Sequence, residues 1–266
     1  PGERVDHPHH VGMWFNYGDV NQLDFWNNSE SIPADKKDKY GTIKHVSVNK
    51  VVSGSTKAEL EVTKNWNKPN GTTLLKEDTK YIFSGVGSRR SIQMITKLTA
   101  QKEDVSFTDN KEGLLGIRLA RELEHPSDKP EKFTDAKGIA TSVAQLNNKG
   151  VTGMYRSSEG VEGDAVWSTR GKWVNLNGKI DKEPVSLVII DHPQNVGYPT
   201  HWHARGYGLF AANPLGQKEF SQGKQVLNYK LKAGESVVFR YEILINSGTN
   251  LKDEQVNAAF EKFARE

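Results

Sequence analysis

Beyond residue 41 the chain reads in steps of two, and this period limits it to β structure. Ile43, His45, Val46, Val48, Val51 and Val52, then Leu60, Val62 and Thr63, show the β-branched enrichment and alternation of strands, parted by Ser53-Gly54-Ser55. Asn70-Gly71, between residues 61–66 and 73–83, is a hairpin signal, because such turns need positive φ and glycine supplies it. Further strands are expected at residues 91–99, 105–108, 116–120, 172–176, 185–190, 225–231 and 237–245, the last two flanking a tight Lys232-Ala233-Gly234-Glu235 turn. Residues 126–138, charged and Pro-containing, form an excursion. Only residues 251–265 read as helix, with Val256, Ala259, Phe260 and Phe263 on one face and Asp253 and Glu254 in the first turn. The expectation is an all-β fold, a large twisted β-sandwich spanning residues 1–266 as one domain and closed by one C-terminal α-helix.

Composition removes several functions. The chain has no cysteine, which excludes disulfides, thiolate catalysis and Cys-ligated metals. The net charge of +3 is spread over short mixed segments with no basic stripe, so nucleic acid is not an expected partner. No window approaches the roughly eighteen apolar residues of a membrane span. The start at Pro1, without Met or a signal-like apolar run, reads as processed or truncated, with N-terminal strands missing. Nothing in the sequence sets an oligomeric state.

Two stretches hold more chemistry than folding requires. Residues 5–26 (VDHPHHVGMWFNYGDVNQLDFW) and residues 191–213 (DHPQNVGYPTHWHARGYGLFAAN) share aromatic, imidazole and carboxylate groups, and both contain Asp-His-Pro. In a strand His201 and His203 project together with Trp202 opposite. His7 and His9 have the same spacing. In Trp14-Phe15 and Phe25-Trp26 neighbours point to opposite faces, so one ring of each pair belongs to the core. Rings beside Asp, Asn, His and Arg suit a sugar, stacking on its C–H face and bonding its hydroxyls. In the plainer reading Asp-His-Pro braces a loop, the Asp accepting backbone N–H bonds. Residues 27–41 form a surface loop beside the site. Gly206, Gly208 and Gly216 make no phosphate loop, since no helix pattern follows them. Asp164, Trp167, Arg170, Lys172 and Trp173 form a third, less specific cluster.

The candidate catalytic residues are His10, His201, His203, Arg118 and Arg205. The first set of substrate-binding candidates is Asp6, His7, His9, Trp14, Asp24 and Trp26. Glu122, His192, Tyr198 and Asn213 complete it, with Arg118 and Glu122 paired as a clamp. No cofactor is assigned. A divalent transition metal on His7, His9, His201 and His203 is a further use of the same imidazoles.

Four segments, PGERVDHPHHVGMWFNYGDVNQLDFW, GIRLARELE, AVWSTRGKWVNLNG and DHPQNVGYPTHWHARGYGLFAANPLG, resemble the bacterial methane oxygenase PmoA-like domains over nearly the whole chain. That resemblance implies sugar-degrading bacteria, a further N-terminal β region and export to the periplasm. The membrane-spanning build of methane monooxygenase does not carry over, since the chain has no span. A second resemblance, of QVLNYKLKAGESVVFRYEILINSG, is to the closing hairpin of the galactose-mutarotase-like supersandwich. It implies a concave sheet whose His, Arg and acidic side chains handle a sugar ring. On this reading that face carries His7, His9, His10, His192, His201 and His203. The expected function is a carbohydrate-active enzyme, a lyase, hydrolase or epimerase on a sugar or oxidised sugar. The alternatives are a transition-metal-dependent oxidase or oxygenase and a non-catalytic carbohydrate-binding protein. Partners are a small-molecule or oligosaccharide ligand.

Overall fold

A computed structural model describes residues 10–135, 137 and 139–266. The strands run β1 (Met13–Tyr17), β2 (Thr42–Val52), β3 (Lys57–Asn67), β4 (Thr73–Val86), β5 (Arg89–Ala100), β6 (Val105–Phe107) and β7 (Gly113–Arg118). They continue with β8 (Met154–Ser157), β9 (Trp173–Ile180), β10 (Glu183–Asp191), β11 (His201–Arg205), β12 (Leu209–Asn213), β13 (Tyr229–Leu231) and β14 (Ser236–Ser247). The helices are the one-turn α1 (Gln217–Phe220) and α2 (Asp253–Phe263). Antiparallel pairing gives an eight-stranded sheet, β2-β3-β4-β5-β14-β10-β9-β8, a four-stranded sheet, β1-β7-β12-β11, and the pair β13-β6.

Alternation decides how the sheets stack. Phe15, Tyr17, Leu115, Trp202, Phe210 and Ala212 of the four-stranded sheet share one core with Met94, Leu98, Val174, Leu187, Ile189 and Phe239 of the larger one. The continuous apolar run of β10 is buried on both faces. Leu187 and Ile189 enter that core, while Val188 and Ile190 meet Val256, Phe260 and Phe263 of α2. The Trp173 indole N–H donates to Asn257 Oδ1 at 2.9 Å, and Arg156 pairs with Asp253, fastening the helix across the large sheet. No helix among the described residues is long and apolar enough to cross a membrane.

The Asn70-Gly71 hairpin joins β3 to β4, with Gly71 at φ +85°. Two readings need correction. The Gly234 turn is tight, with Glu235 N–H donating to the Lys232 carbonyl, but the strands it joins do not form a hairpin. β13 pairs with β6, and β14 pairs with β5 and β10. A short helix does follow Gly216, and 3₁₀ turns occupy Ala34–Lys39, Arg121–Leu123 and Gly163–Val166. One turn is too short to show a 3.6-residue period, so its pattern is invisible in sequence.

Candidate functional site

The face of the four-stranded sheet turned away from the core carries the candidate chemistry. Residues alternating with the core set, Trp14 and Asn16 on β1, Gly116 and Arg118 on β7, Ala211 on β12, and His201, His203 and Arg205 on β11, share this side. Trp202 lies in the core, opposite the two histidines, as the H-x-H spacing predicts. Both aromatic pairs divide as expected, with Phe15 and Phe25 in the main core and Trp14 and Trp26 in a separate cluster with Leu209 and Ala211.

Gly116 lies directly across from Trp14 in register, and a Cβ there would come within 2.5 Å of the indole. Its bare backbone therefore lets Trp14 lie across the sheet. His10 stacks on Trp14 at 4.3 Å, and its Nε2–H donates to the Trp26 carbonyl at 3.0 Å. Trp26 stands edge-on to Trp14 at 5.6 Å and stacks beside His203 at 6.4 Å. Phe220 of α1 reaches both imidazoles, 5.3 Å from His201 and 6.0 Å from His203. Beyond it lies Trp167, whose ring sits 4.4 Å from the Arg205 guanidinium. Asp109 fixes the segment carrying Phe220. Its carboxylate accepts the N–H groups of Lys218, Leu227 and Asn228 at 2.8 to 2.9 Å.

Hydrogen bonding sets the protonation of the imidazoles. His201 Nδ1 faces the Ser168 carbonyl at 3.0 Å and must donate to it, which leaves the Nε2 lone pair free in the neutral ring. Burial, followed by the Arg170 charge, lowers the His201 pKa. His203 is 1% exposed, and burial, aided by the Arg205 and Lys111 charges, pushes its pKa down to about 3. Six buried polar atoms of this face have no hydrogen-bond partner: Trp14 Nε1, Asn16 Oδ1, Trp167 Nε1, His201 Nε2, His203 Nδ1 and Arg205 Nε. A whole domain normally tolerates a few such atoms, because each one unpaired costs roughly 1–3 kcal/mol. Six such atoms gather on this one face.

The other expected site residues have different places. Asp6, His7 and His9 lie outside the described residues. His192 is not with His201 and His203. Its Nδ1 accepts the Gln194 N–H, and its ring meets Phe263 of α2 edge-on at 4.9 Å. Tyr198 packs in that same α2 cluster, apart from the cluster of Trp14 and Trp26. Asp191 accepts Thr200 N–H and Asn195 Nδ2–H, so this Asp-His-Pro braces a loop, and burial raises its pKa to about 7. Asn213 spends its amide on the Asn110 and Lys111 carbonyls and on Leu215 N–H. Asp24 accepts Trp26 N–H, Asn27 N–H and the Asn27 amide, each at 2.8 Å, and so positions Trp26. Arg118 reaches the His10 and Tyr207 carbonyls, while Glu122 sits in the Arg121–Leu123 turn with its carbonyl bonded to Thr152.

His125 is fully engaged. Its Nε2 accepts Tyr155 N–H at 3.1 Å, which makes Nδ1 the donor to Asp164, also at 3.1 Å. No three metal-ligating side chains gather among the described residues, and His201 has only Nε2 to offer a cation. The sequence reading missed Phe220 and Asn16, and it gave Trp167 little weight. A lone Phe after an unrecognised one-turn helix carries no signal. Asn16 stands out only once β1 is seen to alternate around Phe15.

No curated protein matches the chain. Among solved structures it is similar to a candidate aldose 1-epimerase from Escherichia coli K12, at 10% identity and TM-score 0.37, covering 90% of this chain and 84% of that one. It is similar to galactose 1-epimerase from Lactobacillus acidophilus NCFM, at 10% identity and TM-score 0.38, with 92% and 82% covered. A GH36 α-galactosidase from Geobacillus stearothermophilus, in complex with stachyose, matches at 11% identity and TM-score 0.36 over 81% of this chain and only 28% of that one. These are distant likenesses of fold, and no activity passes from them to this chain. Nothing in the comparisons supports the PmoA-like resemblance. One family model runs along almost the whole sequence, residues 1–261, and the chain belongs to that family, the family of unknown function DUF6807.

Proposed function

We propose that this face binds and converts a carbohydrate by proton transfer, as an epimerase or lyase. The observation behind this reading is the set of six unpartnered buried polar atoms among Trp14, Trp26, Trp167 and Phe220. Flat rings beside unspent donors and acceptors suit the C–H face and the hydroxyls of a sugar.

The roles divide by electrostatics. His203, with its pKa near 3, is a poor base at pH 7, since taking a proton there costs about 5 kcal/mol. It serves as a hydrogen-bond acceptor for a hydroxyl. His201 holds its Nε2 lone pair in a fixed tautomer, so it is the group to take a carbon-bound proton beside a carbonyl. The C–H pair becomes the C=C bond of an enolate while the carbonyl π pair moves onto oxygen, where Arg205 stabilises the charge. When that pair returns, the carbon takes a proton on the opposite face, completing an epimerisation, or the β-oxygen substituent leaves with its bonding pair and takes up a proton, completing an elimination. His10 keeps Trp14 and Trp26 in place. Glycoside hydrolysis generally needs two facing carboxyl groups, and among the described residues the strands of this face present none on the side of His201 and His203, which favours epimerase or lyase chemistry over hydrolysis.

The test is proton NMR in D₂O with aldoses and hexuronates, following C–H exchange, elimination products and anomeric interconversion. Wild type is expected to turn over at least one of these sugars, and His201→Ala to slow it about 10²-fold or more. Undiminished turnover in the variant removes His201 from this role. Binding without any conversion makes the protein a carbohydrate-binding module.

A further inference from the structure

Arg205 poses a separate problem. It closes β11, and among the described residues its side chain makes no hydrogen bond and no ion pair. Its neighbour is the Trp167 ring at 4.4 Å, and its Nε is sealed from solvent. A guanidinium carries five donors in a planar fork that matches a carboxylate, and a partly buried one without a counter-ion bears an unrelieved desolvation cost.

The nearby acids do not relieve it. Arg205 lines a cleft of about 330 Å³ together with His125, Asp128, Asp164 and Tyr207. The Asp164 carboxylate is bonded to His125 and is 80% exposed, and Asp128 is exposed as well. Glu131, half-buried, lines the same cleft, and no ion pair joins it to Arg205. On the sheet itself the residues two and four before Arg205 are His203 and His201, which bring no negative charge. Arg205 is the residue that this cleft shares with the face of His201 and His203, and the cleft lies at the small end of ligand-pocket volumes, roughly 300–1,000 Å³, a size for one sugar unit.

We infer that the ligand of this face is a monosaccharide acid, its carboxylate seated on the Arg205 guanidinium above Trp167, where the cleft meets the face that carries His203 and His201. This rests on the carbohydrate reading above. It makes Arg205 the residue that separates acid sugars from neutral ones.

The experiment compares matched probes, D-glucuronate against D-glucose and D-galacturonate against D-galactose, by calorimetric titration and tryptophan fluorescence at pH 7. The proteins are wild type, Arg205→Gln and Arg205→Lys, with urea unfolding as a check on folding. Wild type is expected to bind at least one uronate tenfold or more tighter than its neutral partner. Arg205→Gln should abolish that preference, weakening uronate binding tenfold or more beyond any loss for the neutral sugar, and Arg205→Lys should keep part of it. If Arg205→Gln does not fold, a reduced uronate preference in Arg205→Lys carries the test, and an unchanged preference overturns the inference. Equal binding of acid and neutral sugars, or equal weakening of both in the variants, overturns the inference and leaves the carbohydrate reading standing. If no sugar of either kind binds, both fall.

Discussion

Replacing His203 by Phe tests whether this face is as dry as its geometry requires. The variant keeps a ring beside Trp26 and Phe220 and cannot take a proton. In the wild type the native pKa lies near 3 against an ordinary value of 6.5, so the unfolded chain binds the proton first. Stability from this ring is therefore complete above about pH 6.5 and is lost as the pH falls toward 3. Between pH 7 and pH 4.5 the loss is about 2 to 3 kcal/mol, and it is the same for any native pKa below about 4. Asp191, with its pKa raised to about 7, acts with the opposite sign, since the folded state keeps a proton that the unfolded state releases. It is present in both proteins and cancels in the difference, as do His125, His192 and His201. Urea unfolding of both proteins at pH 7, 5.5 and 4.5 should show the wild type losing about 2 to 3 kcal/mol more than His203→Phe across that range. Parallel losses, within about 0.5 kcal/mol, would mean that His203 titrates as it does in water, and the dry-site reasoning would be wrong.

Two further substitutions test the supports. Asp24→Ala removes three hydrogen bonds that set the Trp26 loop and should cost roughly 1–3 kcal/mol with a shift in tryptophan emission. Unchanged stability and emission would show that Trp26 is placed by other contacts. Phe260→Ala empties the contact of α2 with Trp173, Val188 and Leu244 and should cost about 3–5 kcal/mol in urea unfolding. A loss below about 1 kcal/mol would show that α2 does not cover the large sheet.

Much of the fold was legible because its signals are local. The Asn70-Gly71 hairpin, the alternation of β3 to β5 and the amphipathic face of α2 each stand within a dozen residues. The side chosen by His201 and His203, and the division of Trp14 from Phe15, follow from strand period alone. The failures are long-range. Two stretches that share Asp-His-Pro suggest one shared site, yet His192 and Tyr198 belong to the α2 side of the large sheet. Chemical similarity between segments does not say which sheet face each one meets. The Gly234 turn misled in the same way, since a tight turn does not decide whether its strands pair with one another.

The Asp109 clamp separates access to the imidazoles from the stability of the sheet that bears them. Phe220, which shields His201 and His203, belongs to a segment fastened by the Asp109 carboxylate through Lys218, Leu227 and Asn228 and by Arg170 through Gln225, and not to β11 or its partners. Local opening of residues 217–228 can therefore have its own free energy, smaller than that of global unfolding. The exchange rates of the amides bonded to Asp109 report how often the two rings meet solvent, independently of how firmly the sandwich holds together.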